Sequence, residues 1–255
     1  MSRKTAWFIA CGMAALAAGP ASTASMIYEI TTDTYLDSAS PTYNYGARNV
    51  DRVVINASSA ARTLFKLPAE VWSYAPIQIV SAVVSFYVWS DNAQTYDVSL
   101  HPMLRDFAEG TGTGSATGDG ATWNTYDGVN AWTTAGGDFD SGYSVLGVKG
   151  TLGVNPGEPN GRFYTWDITA LLNDVTAWSE LQSYGAMLRI DETVPPSGQR
   201  FNAYTSSDST TYTAPYLPSL TITAIPEPGT LALLAMGLPV GAMLLRRRKQ
   251  GILSC

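Results

Sequence analysis

Short stretches in which apolar and polar residues alternate recur along most of this 255-residue chain, and turn-forming residues separate them. The alternation is clearest in Val83–Trp89 and Arg162–Trp166. A period of two puts every second side chain of an extended strand on one face, so such stretches bury an apolar face only within a sheet. The chain is therefore predicted to be an all-β protein.

Ten stretches are predicted to form strands. They are Met26–Thr31, Arg52–Asn56, Thr63–Leu67, Ile77–Trp89, Tyr96–Met103, Tyr143–Val148, Phe163–Ile168, Ala186–Asp191, Arg200–Thr205 and Ser219–Thr223. Many short strands joined by glycine-rich connections favour an antiparallel β-sandwich of the jelly-roll type. A parallel β-helix is the alternative, but the sequence shows no repeat of fixed period.

One segment has a different periodicity. Ile168, Leu171, Leu172 and Val175 recur at helical spacing, and Asp167 precedes them as a candidate N-cap. One short helix is therefore predicted there. Four aromatic residues in strongly patterned segments are predicted to lie in the core: Phe86, Trp89, Trp166 and Trp178.

The N-terminus has the parts of a secretory signal peptide. Arg3 and Lys4 precede the apolar run Ala6–Ala18, and small residues follow it. Residues 1–24 are therefore predicted to be removed on export, which leaves residues 25–224 as one folded domain.

The C-terminal segment 225–255 combines a short proline-rich motif, an apolar stretch and a basic cluster, in that order. The apolar stretch, counted from Gly229 to Leu245, reaches the lower limit of about 17 residues for a transmembrane helix. The basic cluster marks the cytoplasmic side of such a helix. The residues of the motif and of the cluster are Pro226, Glu227, Pro228, Arg246, Arg247 and Arg248.

This arrangement resembles the PEP-CTERM sorting signal, and a plain tail anchor is the alternative. The resemblance implies recognition by an exosortase-type membrane protease in a Gram-negative bacterium. It also implies transient anchoring in the inner membrane, followed by transfer to the cell surface or the extracellular matrix.

Charge is distributed unevenly along the chain. Six of the 15 basic residues lie in the terminal segments, so residues 25–224 hold nine basic and twenty acidic residues, a net charge of about −11. A surface of this sign repels phosphate backbones, so no nucleic-acid partner is predicted. The acidity either serves calcium or sugar binding or simply keeps an exported protein soluble.

The domain also carries, in order, short motifs that resemble those of one family. They are Asp33–Asp37, Asn44–Gly46, Arg62–Pro68, Ile79–Tyr87, Gly120–Asn124, Trp132, Gly136–Phe139 and Pro215–Ile222. Together they resemble a DNRLRE (disaggregatase-related) domain. The resemblance implies a jelly-roll β-sandwich similar to carbohydrate-binding modules. One departure is Phe107, since the family usually has a tryptophan before the acidic residue that follows.

A sugar-binding site needs an aromatic face for the C–H surface of the ring and polar side chains for its hydroxyls. Trp123, Tyr126 and Trp132 are the predicted aromatic residues, and Asn124 is the predicted polar partner. All four lie in the glycine-rich segment 107–142, which is predicted to form long loops. The alternative is that both tryptophans cap one end of the sandwich.

A single structural calcium ion is a further candidate ligand. Asp138-x-Asp140-x-Gly142 has the alternate carboxylates and the glycine that open many calcium loops, and Asp33 is the predicted additional ligand. The alternative is an ordinary turn. The motif lacks the later glutamate of an EF-hand, so a helix-loop-helix calcium site is excluded.

The sequence gives little support for catalysis. It has a single histidine, His101, and no Gly-x-Ser-x-Gly elbow. The predicted function is therefore non-catalytic binding of extracellular polysaccharide by a surface or matrix protein. A small polysaccharide lyase or glycoside hydrolase, and a structural matrix protein without a defined ligand, are the alternatives.

Overall fold

The computed structural model describes residues 23–74, 78–91, 96–151, 161–192 and 200–225. Most of the predicted signal peptide and the whole predicted sorting motif, span and basic cluster lie outside these ranges. Within them, no helix is long and apolar enough to cross a membrane.

The described part of the chain contains twelve strands, and every pairing between them is antiparallel. This confirms the predicted all-β class. They are β1 (Ala24–Glu29), β2 (Asp33–Asp37), β3 (Val50–Ile55), β4 (Ala60–Phe65), β5 (Ile79–Asp91), β6 (Val98–Pro102), β7 (Val145–Leu146), β8 (Val148–Lys149), β9 (Arg162–Asp167), β10 (Ala186–Ile190), β11 (Arg200–Thr205) and β12 (Ser219–Ala224).

The strands follow the order β1-β12-β5-β11-β3-β4-β10-β6-β7, with β2 paired to β4 and β9 paired to β5 and β8. The 13-residue strand β5 organises this arrangement because it pairs with β9, β11 and β12. Its alternate residues Ala82, Val84, Phe86 and Val88 lie in the main core, as the period of two predicts.

Two helices connect β9 to β10, so the prediction of a single short helix is wrong in number. Helix α1 (Thr169–Leu172) follows the N-cap Ile168, one residue later than predicted. Helix α2 (Val175–Tyr184) begins after Asp174, whose carboxylate accepts the N–H groups of Thr176 and Ala177.

The four aromatic residues predicted to lie in the core differ in their burial. Phe86 and Trp166 are fully buried and pack edge to face in the main core, which confirms the prediction for both. Trp178 is only partly buried, on α2 against Trp72. The prediction for Trp89 is wrong, since 38% of this residue is exposed.

The predicted long loops of segment 107–142 contain no named strand and cover a second apolar layer. Leu36 of β2, Leu64 of β4 and Met187 of β10 project to this side, away from the main core. Phe107 and Trp132 of the loops pack on them. Strands β2 and β4 are therefore buried on both faces.

Candidate ligand-binding cleft

The predicted aromatic cluster is brought together by the loops, but much of it is used for packing. Trp132 is only 5% exposed, and its Nε1–H donates to the carbonyl oxygen of Thr122 at 2.9 Å. The ring of Tyr126 meets it edge-on, with centroids 5.8 Å apart. Trp132 is therefore part of the second apolar layer.

Trp123 is partly buried, and a cation covers one side of its ring. The guanidinium carbon of Arg62 lies 4.8 Å from the ring centroid. Arg62 itself donates to both carboxylate oxygens of Glu192, at 2.8 and 2.7 Å, and to the carbonyl oxygen of Gly136 at 2.7 Å. Asn124 is exposed beside it. The binding role of this cluster stays a prediction.

A buried asparagine holds the glycine-rich loops together. The Nδ2 group of Asn44 donates to the carbonyl oxygens of Glu109 (2.6 Å) and Ala121 (3.0 Å), while its Oδ1 accepts the N–H of Gly112 (2.7 Å). Gly110, at φ +81°, packs against this side chain where any Cβ would overlap it. Gly112 and Gly120 also meet Asn44 where a Cβ would overlap it, so these three glycines reflect packing around Asn44.

Replacing Asn44 by alanine is expected to lower the free energy of unfolding by about 3 kcal/mol, because several buried peptide groups lose their partners. Urea denaturation would measure the change. The matched control is Asn124→Ala, which removes an exposed amide and is expected to change the value by less than about 0.5 kcal/mol. Equal effects of the two substitutions would contradict the role of Asn44.

The three predicted metal ligands do not form one site. Asp138 accepts the N–H groups of Thr133 and Thr134 at 2.9 Å each, and Asp140 accepts the N–H of Gly142. Asp33 instead accepts hydrogen bonds from the segment that follows β11. No group of three or more potential ligand side chains occurs among the described residues. Calcium binding stays a prediction.

Asp33 belongs to a set of carboxyl groups that burial affects. Burial raises the pKa of Asp33 to about 6, and burial together with the charges of Asp33 and Asp208 raises that of Glu109 to about 7. The pKa of Asp51 is also raised, since the residue is buried and Oδ2 has no hydrogen-bond partner within the described part of the chain. These groups favour the protonated form in the folded state.

This set predicts that the protein loses stability as pH rises. A carboxyl group whose pKa is higher in the folded state stabilises the fold below its unfolded pKa, near 4, and loses that contribution as pH rises through the folded pKa. The melting temperature is therefore expected to fall between pH 4 and 7. Asp51→Asn is expected to raise the melting temperature at pH 8 but not at pH 4. A melting temperature that rises over this range would contradict the prediction.

The single histidine is used for structure. His101 is buried, and its Nδ1–H donates to the carbonyl oxygen of Tyr143 at 2.7 Å, which leaves Nε2 to accept the hydroxyl of Ser99 at 2.9 Å. Burial lowers the pKa of His101. Both ring nitrogens are therefore engaged inside the protein.

An exposed cleft lies on the outer side of β3, β5 and β11, away from the predicted aromatic cluster. Trp89 lines it because Val88 is directed into the core and the period of two then directs Trp89 outward. A β-bulge lies at the same place, since Ala203 pairs with Ser90 and Tyr204 pairs with Val88, with Trp89 as the extra residue on β5. The result is a large aromatic side chain exposed beside polar groups.

The cleft has a volume of about 370 Å³. Besides Trp89 and Val50 it is lined by Arg48, Asn49, Arg52, Ser209, Thr211 and Tyr212. The ring of Tyr212 also packs against the buried Tyr87, with centroids 5.5 Å apart, which fixes one wall to the sheet. An aromatic side chain surrounded by hydroxyl, amide and guanidinium groups is the combination that sugar recognition needs.

The sequence reasoning missed this cleft because it assigned Trp89 to the core. A signal was present: with Val84, Phe86 and Val88 directed inward, a strict period of two directs residue 89 outward. Arg48 and Arg52 carried no signal of their own, since their meeting with Trp89 depends on the pairing of β3 with β11.

Comparison with protein-family models gives no match for this chain, and comparison with curated proteins gives no significant match. The family resemblance therefore depends on the sequence motifs alone.

Proposed function

We propose that this is an exported protein of the bacterial cell surface or extracellular matrix that binds polysaccharide without cleaving it. The observation that carries the proposal is the cleft beside Trp89. An exposed tryptophan can stack on the C–H face of a sugar ring, and Asn49, Ser209 and Thr211 can hydrogen-bond the ring hydroxyls.

The proposed fold agrees with this activity. The antiparallel sheet and the motifs of residues 25–224 support a DNRLRE-like jelly-roll sandwich, an architecture similar to that of carbohydrate-binding modules. The order of Pro226–Pro228, the apolar stretch and Arg246–Arg248 supports sorting by an exosortase-type protease. The leader at 1–24 supports export.

The positions of the two ends of the domain, Ala24 and Ala224, support the same function. Ala24 pairs with Ala224, so the predicted leader and sorting segments leave the domain side by side. Ala224 pairs in turn with Ile79 at the start of β5, ten residues before Trp89. At about 3.3 Å per residue, the cleft is roughly 33 Å along the strand from Ala224, the residue that precedes the proposed sorting segment. A domain held this way presents its cleft to external polymer.

Affinity electrophoresis of the full-length protein in non-ionic detergent tests the proposal. Gels would contain neutral or acidic polysaccharides, with and without a chelator, and the same mixtures would be assayed for new reducing or unsaturated ends. Retardation without new ends is the expected result. New ends would show a lyase or hydrolase instead, and the absence of retardation in every gel would contradict polysaccharide binding.

A further inference from the structure

We propose that the ligand of the Trp89 cleft is a carboxylated polysaccharide, a polymer containing uronic acids, whose carboxylates bind Arg48 and Arg52. The proposal rests on the proposed function, because it assumes that this cleft binds a glycan. It adds the charge class of the polymer and the residues that select it.

The observation behind it is the pairing of cations within an acidic domain. Residues 25–224 contain nine basic and twenty acidic residues. Six of the nine form ion pairs: Arg62, Lys66, Arg105, Lys149, Arg162 and Arg189. Arg48, Arg52 and Arg200 form no ion pair with the described residues, and the first two line the cleft. Unpaired positive charge is thus concentrated beside the exposed tryptophan.

Both arginines are held near the cleft by the fold. Arg52 lies in β3 opposite Ala203 of β11, and the guanidinium carbon of Arg48 lies 5.7 Å from the ring centroid of Tyr45. That ring stacks on Tyr35 at 4.1 Å, so the platform under Arg48 is rigid. A guanidinium held in this way can donate two parallel hydrogen bonds to a carboxylate with little loss of side-chain entropy.

The net charge of the domain restricts which polyanion can bind. At physiological ionic strength the screening length is about 8 Å, so the two arginines dominate the potential inside the cleft while distant carboxylates are largely screened. Two acidic residues adjoin the lining in sequence: Asp208, and Asp51, which is buried. Neither forms an ion pair with Arg48 or Arg52. A nucleic acid carries denser charge, about one per 1.7 Å in a duplex, and meets stronger repulsion from the rest of the domain. A uronate polymer, charged at most once per sugar, suits this surface better.

The test compares two polymers with the same backbone. The full-length protein in non-ionic detergent is titrated with polygalacturonate and with its methyl ester, which lacks the charge, and poly(dT) serves as the nucleic-acid probe. Polygalacturonate is expected to bind at least about tenfold more tightly than the ester, as loss of a charge-assisted hydrogen bond predicts. Tighter binding of poly(dT) than of polygalacturonate would overturn the proposal.

Charge-matched variants identify the residues. Arg52→Gln and Arg48→Gln are each expected to weaken polygalacturonate binding about tenfold and to leave binding of the ester nearly unchanged. Lys66→Gln removes the same charge away from the cleft and is expected to have no effect. Equal binding of both polymers that is lost in Trp89→Ala would overturn the charge proposal and leave the proposed function standing. Binding of neither polymer, nor of any other glycan, would overturn both.

Discussion

Arg62→Ala is expected to lower the free energy of unfolding by about 3 kcal/mol, measured by urea denaturation. Arg62 is only 7% exposed, and its removal takes both short hydrogen bonds from the carboxylate of Glu192, which keeps only the more distant Arg189 at 3.7 Å. It also leaves the carbonyl oxygen of Gly136 without its donor and removes the cation from the ring of Trp123. The tertiary signal of this tryptophan in near-ultraviolet circular dichroism is therefore expected to change as well.

The matched control is another arginine of the same loop layer. Arg105 pairs with Asp138 and lies over Tyr126, but 42% of its side chain is exposed, so solvent weakens both interactions. Arg105→Ala is expected to cost less than about 1 kcal/mol. The contrary result is a free energy of unfolding that lies within about 0.5 kcal/mol of the unaltered protein's for both arginine variants. The buried ion pair would then not be what fixes the loops to the sheet.

The strands were predictable where one face is buried and the other is not. In β5 the inward set Val84, Phe86 and Val88 follows the period of two, and the structure has a strand there. Strand β2 escaped prediction because burial on both faces removes the alternation: Asp33, Thr34, Tyr35 and Leu36 are all buried. The partners that bury it come from loops distant in sequence.

Helix α2 was missed although local signals mark both its ends. Asp174 caps its start, and Gly185 ends it at φ +84°. The pattern around Trp178 predicts a core segment, yet the apolar residues Ala177 and Leu181 recur there at helical spacing. Attention to the caps separates the two interpretations.

Two tryptophans show why the location of an aromatic residue in a loop did not predict the candidate site. Trp132 lies in a loop and is buried, whereas Trp89 lies in a strand and is exposed. The first result depends on a second apolar layer over β2, β4 and β10, whereas the second follows the period of two along β5. The burial of Trp132 depends on contacts between segments far apart in the chain, which a pattern within one segment does not report.

Trp89→Ala is expected to weaken polysaccharide binding about 30-fold, because a central aromatic contact in a binding site is typically worth about 2 kcal/mol. The change is expected to leave the melting temperature nearly unaltered, since the residue is 38% exposed and lies outside the core. Trp89→Phe keeps an aromatic face and is expected to retain part of the affinity.

The alternative platform is tested by the same substitution in the predicted loop cluster. Trp123→Ala removes a partly buried ring beside Arg62 and is expected to lower stability while leaving binding within about twofold. The two tryptophan variants therefore separate the cleft from the cluster, because each is expected to change the quantity that the other leaves alone.

The most direct measurement is the dissociation constant for the best-retarding polysaccharide, determined side by side for the unaltered full-length protein, Trp89→Ala and Trp123→Ala. The expected result is a loss of about 30-fold for Trp89→Ala alone. Unchanged affinity in Trp89→Ala, with the loss confined to Trp123→Ala, would contradict binding at the cleft and assign it to the loop cluster.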